Sequence, residues 1–478
     1  MRITMVTEGT YPHAYGGVSV WCDQLLRGMP EHEFAVVAIT GTGAERLAWE
    51  PPPNVTVTAL PLWGAPVRSR PPAGRARRAF AAIFGELLDC LADPGIPGAQ
   101  DRFTAVLREL AGFASSHDVT AAVHSEQATA QVLAAWTTPR PDAAGVSGAG
   151  VVPTVRDALT ATGLLGRALI PLRPPADRGA VTHAVTNGLA ALTGLAAKWA
   201  YGTPLMVTEH GLYLRERYLN YGAGPYGWPV KALMLAFLRL LCGSAYQAAD
   251  LITPGNRYNQ RWELRCGADP ARLRTVYNGV DPTHFPPAGP EPAIPTLSWA
   301  GRIDPIKDVE TLIRAFALVR KRIPEARLRL FGGGDAGYRA RCEDLIATLG
   351  LTGAAVFEGR VADIADAYAA GTVVVLSSIS EGFPYTLIEA MTAGRATVST
   401  DVGGVTEAAG ETGLVVPPRD PEAMAAACLA LIGDPPLRAR LGAAARARAL
   451  EYFTVEQAIT GFREIYDALA AGRPAGMA

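Results

Sequence analysis

At 478 residues the chain is long enough for two or more domains, each with its own core, and 49% of it is hydrophobic. Its 44 Lys and Arg nearly cancel 45 Asp and Glu, which excludes a strongly basic nucleic-acid binder on composition and gives no expectation of a nucleic-acid partner. The six cysteines, at 22, 90, 242, 266, 342 and 428, form no C-x-x-C pair, so they read as small buried hydrophobes of a reducing compartment rather than metal ligands.

Residues 1–6 are too short for a signal h-region and lead directly into a strand pattern, so a cytoplasmic protein is expected. The densest apolar run, 232–242, is interrupted by Arg239 and preceded by Lys231. It reads as a core helix, with contact to the inner face of a membrane as the minor alternative.

In chain order, a strand at 2–7 runs into Glu8-Gly-Thr-Tyr-Pro-His-Ala-Tyr-Gly16-Gly17, and a helix begins at Val18. A strand, a glycine-bearing loop and a helix open a Rossmann-like half. Gly16 and Gly17 let backbone approach a phosphate or sugar, with a helix N-terminus behind them. Strands are expected at 34–40 and 55–60. From 64 to 178 the composition turns to Ala, Arg, Pro and Gly, and a mainly helical elaboration is expected. Within it lie helices at 76–91 and 103–114, a strand-helix unit at 119–137 and a low-complexity loop at 139–150. Regular alternation returns with a strand at 181–186, a helix at 187–201 and a strand at 205–208. That last strand ends in Glu209-His210-Gly211, with Arg215 and Arg217 close behind. A His, a Glu and two Arg after one strand end mark a place where chemistry collects.

Asn278-Gly-Val-Asp281 is a turn signal, and the Pro-rich 285–295 reads as a hinge into a second domain. Strand 296–300 is followed by Gly301-Arg302-Ile-Asp-Pro-Ile-Lys307, which places two cations in a strand-to-helix loop. Strand 327–331 ends in Gly332-Gly-Gly-Asp335, which lacks the Lys-Ser/Thr of a P-loop and is not G-x-G-x-x-G. Strand 355–357 exits at Gly359-Arg360-Val361. A buried strand at 372–377 then precedes Glu381-Gly-Phe-Pro-Tyr-Thr-Leu-Ile-Glu389, two carboxylates eight apart across a loop-to-helix junction. Pro384 suits the first helical position, and free N–H groups at such a helix start hold anions. The final amphipathic helix spans 454–470.

The 381–389 segment resembles the E-x7-E motif of retaining GT-B glycosyltransferases of family 4. The Glu8…Trp21 and Thr208…Arg217 segments look like the amino-terminal domain of PelF-type members, cytoplasmic enzymes of bacterial exopolysaccharide synthesis. The resemblance covers most of the chain except about 64–178. It implies an α/β GT-B architecture of two facing Rossmann-like domains. The first is 1–285, with the helical insertion; the second, donor-binding domain is 286–453; and 454–478 crosses back to the first.

It also implies the roles. Gly16, Gly17, Arg302 and Lys307 would bind the donor diphosphate, and Arg360, Val361 and Glu389 the nucleoside. Glu381, Gly382, Phe383 and Pro384 would hold the donor sugar, with His210 and Glu381 the catalytic pair. Glu8, Arg215 and Arg217 are placed on the acceptor or donor side. No metal or other cofactor is required in this reading, since cations and a helix start stabilise the leaving diphosphate. The implied donor is UDP-glucose, the acceptor is unknown, and a membrane polysaccharide-synthase complex is a candidate partner. Two alternatives stay open: a sugar-nucleotide epimerase of similar two-domain fold, and a nucleotide-binding regulatory subunit of a membrane synthase.

Overall fold

The computed structural model describes residues 1–64, 69–138, 151–176 and 178–473; the low-complexity loop expected at 139–150 lies outside them. The chain divides into two compact units. Unit 1 holds Met1–Pro254, Gln260–Arg274 and Phe462–Ala478, and unit 2 holds Gly255–Asn259 and Thr275–Gly461. These units differ from the expected 1–285 and 286–453. Residues 275–285 and 255–259 belong to unit 2, because Asn278 and Asn256 hydrogen-bond to its Phe383 and Gly382 carbonyls.

Unit 1 begins β1 (Arg2–Glu8), α1 (Gly17–Gly28), β2 (Glu33–Thr40) and β3 (Val55–Pro61). The helical insertion follows as α2 (Gly74–Ala92), α3 (Ala99–Ala114), α4 (Val119–Val123), α5 (Glu126–Thr137) and α6 (Val155–Ala168). The alternating pattern then resumes with β4 (Val181–Ala184), α7 (Leu189–Tyr201), β5 (Leu205–Glu209), α8 (Tyr213–Ala223), α9 (Trp228–Ala248), β6 (Leu251–Pro254) and α10 (Arg257–Arg265). The strands pair in the order β3-β2-β1-β4-β5-β6, all parallel. Covered by helices, β1, β4, β5 and β6 are buried along nearly their whole length, which is why they show no regular apolar–polar alternation and carry buried Thr among their apolar residues. The order reverses between β1 and β4, so a crevice opens at their carboxyl ends.

The strand expected within 119–137 is absent. Val119 and Val123 favour a strand, yet they are buried in α4, which packs on α6. The Asp118 side chain caps α4 and the Ser125 side chain caps α5, so local capping chemistry selects two helices.

The insertion packs on α9, the helix foreseen as a core helix. Among the described residues α9 is the one helix long and apolar enough to cross a membrane, and most of it is buried inside unit 1. Phe103 meets Phe237 edge to face at 5.9 Å. Gln100 Nε2 donates to Leu240 O at 2.7 Å and Ser244 Oγ at 2.8 Å.

Unit 2 continues with β7 (Thr296–Ala300), α11 (Val309–Arg322), β8 (Arg327–Phe331), α12 (Ala336–Thr348), β9 (Ala355–Gly359), α13 (Ile364–Ala369), β10 (Val373–Leu376) and α14 (Tyr385–Thr392). It closes with β11 (Thr397–Thr400), α15 (Val405–Ala409), β12 (Leu414–Val416), α16 (Pro421–Gly433), α17 (Pro435–Tyr452) and α18 (Val455–Ala470). Its parallel sheet runs β12-β11-β10-β7-β8-β9, the same order as unit 1 when counted from its own first strand. Here the reversal falls between β7 and β10.

Aspartate side chains cap α11, α12, α13, α16 and α17, whereas α14 has no side-chain cap. The glycine turn after β8 has a packing cause: Gly332 takes φ 131°, and a Cβ there would overlap the Gly301 carbonyl.

Two helices belong to both units by sequence. α10 lies in unit 2 to Asn259 and in unit 1 from Gln260; α18 changes at Gly461. The unit 1 part of α18 is held by Tyr466 Oη at 2.7 Å from His183 Nδ1 and by Arg463 Nε donating to Glu31 Oε1 at 2.7 Å.

Candidate functional site

In unit 2 the crevice between β7 and β10 collects the loops that carried the charged motifs. Asp304 caps a short turn, Pro305–Lys307, that brings Lys307 to the mouth of β10. Its backbone is clamped there: Ser377 Oγ donates to Lys307 O at 2.8 Å, and Ile379 N donates to Ile306 O at 2.9 Å. Lys307 Nζ donates to Glu381 Oε1 at 2.5 Å, and Ser378 Oγ donates to the same oxygen at 2.6 Å. The two side chains are 20% and 10% exposed, so this pair is partly withdrawn from solvent. Arg302 is the more exposed cation by contrast: its side chain is 69% exposed and paired with Asp304 at 3.3 Å.

The loop after Glu381 is fixed by its carbonyls. Gly382 O accepts from Gly404 N at 2.9 Å and Asn256 Nδ2 at 3.2 Å, and Phe383 O accepts from Asn278 Nδ2 at 3.4 Å. No backbone carbonyl among the described residues accepts from Gly382 N or Phe383 N. The Phe383 ring is buried, stacked on Tyr277 at 5.3 Å, so this residue offers a ligand its backbone alone. Pro384 stands at the cap of α14 with φ −78°, one position before the first helical residue where it was expected. Gly403 and Gly404 pack on this loop; a Cβ on Gly404 would come within 2.9 Å of Gly382 O.

Glu389 sits one turn into α14 and takes a hydrogen bond from the buried Tyr368 hydroxyl. Burial pushes its carboxyl up to about 7, against the pull of that hydroxyl. Arg360 is exposed beside the Gly333 turn, and Val361 is partly buried against the core under α14.

In unit 1 the crevice between β1 and β4 contains a cavity of about 150 Å³. Glu8, Thr10, Thr186, His210, Glu216 and Arg217 are among its walls. Arg217 Nη2 donates to Glu8 Oε1 at 2.5 Å, and Tyr213 Oη donates to the same atom at 3.2 Å. His210 meets Trp21 edge to face at 4.6 Å. Its Nε2 is buried with no hydrogen-bond partner among the described residues, and burial pushes the imidazole down to about 4, so it is neutral at physiological pH. Arg215 is exposed on α8 and is not a wall of the cavity. Gly16 and Gly17 are exposed at the start of α1, which has no side-chain cap.

Sequence reasoning missed the second layer. Glu209, adjacent to His210, is 1% exposed and accepts from Tyr246 Oη and, at 3.1 Å, from Tyr213 N. Glu263 on α10 is fully buried, and neither carboxylate oxygen has a hydrogen-bond partner among the described residues. Burial raises both carboxyls, and the Glu209 charge raises Glu263 further. Of these, only Glu209 carried a signal, its place beside His210 at a strand end. Tyr368, Ser378 and Glu263 lie too far from their partners, or in too ordinary a context, to be found by spacing.

Comparison with known proteins follows the same division. Residues 1–271 match the family described as "Domain of unknown function (DUF3492)", and residues 294–434 match "Glycosyl transferases group 1". A D-inositol 3-phosphate glycosyltransferase of Streptomyces scabiei is 33% identical over 252 residues, 48% of this chain and 54% of that protein. The Rhodococcus erythropolis protein of that name is 31% identical over 296 residues, 58% of this chain and 65% of that protein. The chain thus spans between about half and two thirds of the length of these relatives.

Among solved structures, sucrose-phosphate synthase of Thermosynechococcus elongatus superposes with TM-score 0.63 at 19% identity, covering 99% of this chain and all of that one. Anabaena HepE, solved with UDP, gives 0.61 at 16%, covering 98% and 100%. At those identities the likeness shows the fold, which is the α/β GT-B fold of two six-stranded parallel sheets. With more than half of its length matched, the chain belongs to the DUF3492 family and carries a group 1 glycosyl transferase domain behind the segment that defines that family.

Proposed function

We propose that this chain is a retaining hexosyltransferase of the family 4 type. It would take the sugar from a nucleotide donor held in unit 2, UDP-glucose first, and pass it to an acceptor hydroxyl. The observation that carries this reading is the Lys307–Glu381 pair at the strand-order reversal of unit 2, beside the uncapped start of α14. Breaking the anomeric carbon–phosphate bond puts negative charge on the departing diphosphate. Lys307, Arg302 and the α14 N-terminus are the groups that would stabilise it. The Glu381 carboxylate and the Gly382 and Phe383 amides would hold the sugar, and Glu389 the ribose diol. Solved HepE complexes with UDP and UDP-glucose support a uridine donor, and the PelF resemblance supports a cytoplasmic role in exopolysaccharide or glycoconjugate synthesis.

The test is release of nucleoside diphosphate from a panel of sugar nucleotides in the presence of a chelator. Release from one donor, with the anomeric configuration kept in the product, is expected. Silence across the panel together with no UDP binding would sink the donor-site reading. An isomerised sugar nucleotide formed without acceptor would establish the epimerase instead.

The Glu389 carboxyl near 7 gives a pH prediction. An ionised carboxylate accepts both ribose hydroxyls, whereas the protonated form gives up part of that capacity. UDP affinity is therefore expected to fall below pH 7, by up to about tenfold per unit. The 2′-deoxy analogue should lose less over the same range. Tyr368→Phe removes the hydroxyl that holds the carboxylate down, so the midpoint should move to higher pH. Parallel profiles for UDP and its 2′-deoxy analogue by calorimetry would remove Glu389 from the nucleoside site.

A further inference from the structure

Unit 2 holds a cavity of about 490 Å³ where the second half of α11 meets the end of α12 and the start of α16. Its apolar wall follows from local sequence. On α11, Arg314, Ala317, Leu318 and Lys321 fall at i, i+3, i+4 and i+7, so they form one stripe along the cavity. The stripe reads cation, apolar, apolar, cation over about 10 Å of helix axis. α12 ends in a left-handed glycine turn: Gly350 takes φ 67°, its N–H bonds to Ala347 O at 3.0 Å, and the Leu351 N–H bonds to Ile346 O at 2.9 Å. That turn sets Leu349 and Leu351 on the wall, and Leu349 stays 37% exposed. Pro421, the first residue of α16 behind the Asp420 cap, adds a rigid apolar edge.

The charge of the wall is just as specific. It holds three cations, Arg314, Arg320 and Lys321, against one carboxylate, Glu422. Arg320 has a structural task, since its Nε donates to Pro324 O at 3.0 Å just beyond the end of α11. Lys321 belongs to the basic last turn that complements the α11 dipole. Neither reason covers Arg314, which is exposed in the middle of the helix. Glu310, one turn earlier, approaches Arg341 instead, at 4.0 Å. Among the described residues neither Arg314 nor Lys321 has an ion-pair or side-chain hydrogen-bond partner.

Two unmatched cations with leucine and proline between them suit a molecule of the same pattern, an anionic group on an apolar body. Arg and Lys stems lie along apolar surface while their heads stay hydrated, so both heads can close on one anion above Leu318. The volume falls within the roughly 300–1,000 Å³ of small-molecule sites.

We propose that this cavity binds a small soluble amphiphilic anion, a phosphate or carboxylate carried on an apolar group, at a site separate from the donor crevice. α11 starts at the Asp308 cap, directly after Lys307, and the stripe occupies its far part. Occupancy is therefore independent of whether unit 2 transfers a sugar. The experiment is a calorimetric titration of the full chain with hexyl phosphate, in excess UDP so that the donor crevice is filled. Hexanol, inorganic phosphate and phosphatidylglycerol vesicles are the comparison probes.

Hexyl phosphate is expected to bind at one site, and hexanol and inorganic phosphate at least tenfold more weakly, because each satisfies only half of the wall. Arg314→Gln with Lys321→Gln should weaken hexyl phosphate at least tenfold. Both side chains are exposed, and circular dichroism checks that the double variant folds. Glu422→Gln removes the repelling charge and should tighten binding by about twofold to threefold, a gain that a damaged fold does not give. No binding of hexyl phosphate, or equal affinity in the parent and the double variant, would overturn the proposal. So would hexanol or inorganic phosphate binding as tightly as hexyl phosphate. Binding to the vesicles without binding of monomeric hexyl phosphate would overturn it in favour of a membrane surface.

Discussion

Replacing Lys307 by Met, or Glu381 by Gln, is expected to lower nucleoside diphosphate release by about 10²–10³, the loss that follows removal of one preorganised charge-stabilising group. The reason lies in how the pair is held. The Lys307 backbone is tied to the β10 exit through Ser377 and Ile379, and Glu381 is fixed by Lys307 and Ser378 together. Neither group must reorganise when charge develops, so the stabilisation is present at the moment of reaction. Arg302, exposed and loosely paired, must be drawn in by the ligand, so Arg302→Ala should raise KM more than it lowers kcat.

Stability and activity should part company in the double variant. Each single change leaves a partly buried charge without its partner and should cost about 1–3 kcal/mol of unfolding free energy. Lys307→Met with Glu381→Gln removes both charges, so stability should return toward that of the parent. Activity should not return, because the two groups act as one unit and the double variant should be about as slow as the slower single one. Denaturant unfolding and a release assay on the four proteins decide it. Singles within tenfold of the parent rate, or a double variant that regains activity, would show that the pair is a structural tie alone.

The legible part of this protein was the part whose physics is local. Strands β7 and β10 stood out because strands covered on both faces are written as short, mostly apolar runs between helices. Lys307 and Glu381, which the structure brings together as an ion pair, stand out in the sequence because both lie in charged loops at strand ends. The α4 and α5 stretch was misread because β-branched Val119 and Val123 carry a strand preference that packing on α6 overrides. The boundary at 285 missed because Asn256 and Asn278, distant in sequence from the 381–384 loop, tie themselves to its carbonyls. Glu263 was invisible for a sharper reason. On a short helix whose neighbours are Arg261, Trp262 and Arg265, it reads as an ordinary surface carboxylate, and only the fold reveals that it is fully buried beside another.

That burial has a measurable consequence. The folded chain is expected to lose stability as pH rises above neutral, and Glu263→Gln should abolish much of the loss. Glu209 and Glu263 are both raised above the ordinary carboxyl value, by burial first, with the charge of Glu209 adding to the shift of Glu263. A raised folded-state value means that the native chain binds a proton the unfolded chain has already released. The contribution is fully present below the unfolded value near 4.5 and is lost as pH rises through the folded one. Each proton so held makes stability fall by up to about 1.4 kcal/mol per pH unit.

Histidines act in the opposite sense and set the lower edge of the useful window. His183 and His210 are pushed down by burial, to about 3 and about 4, so they destabilise the fold as pH drops below their unfolded value of 6.5 and are silent above 7. The comparison therefore belongs between pH 7 and 8.5. There, hydrogen exchange in peptides covering β5, α9 and α10 should accelerate with pH beyond the intrinsic chemical rate in the parent. In Glu263→Gln, where a neutral amide replaces the carboxyl at nearly constant volume, it should do so much less. Equal pH slopes in the two proteins would mean that Glu263 carries no extra proton in the folded state. Its two carboxylate oxygens would then need a buried water or cation to satisfy them, because a charged carboxylate with no partner does not survive in that interior.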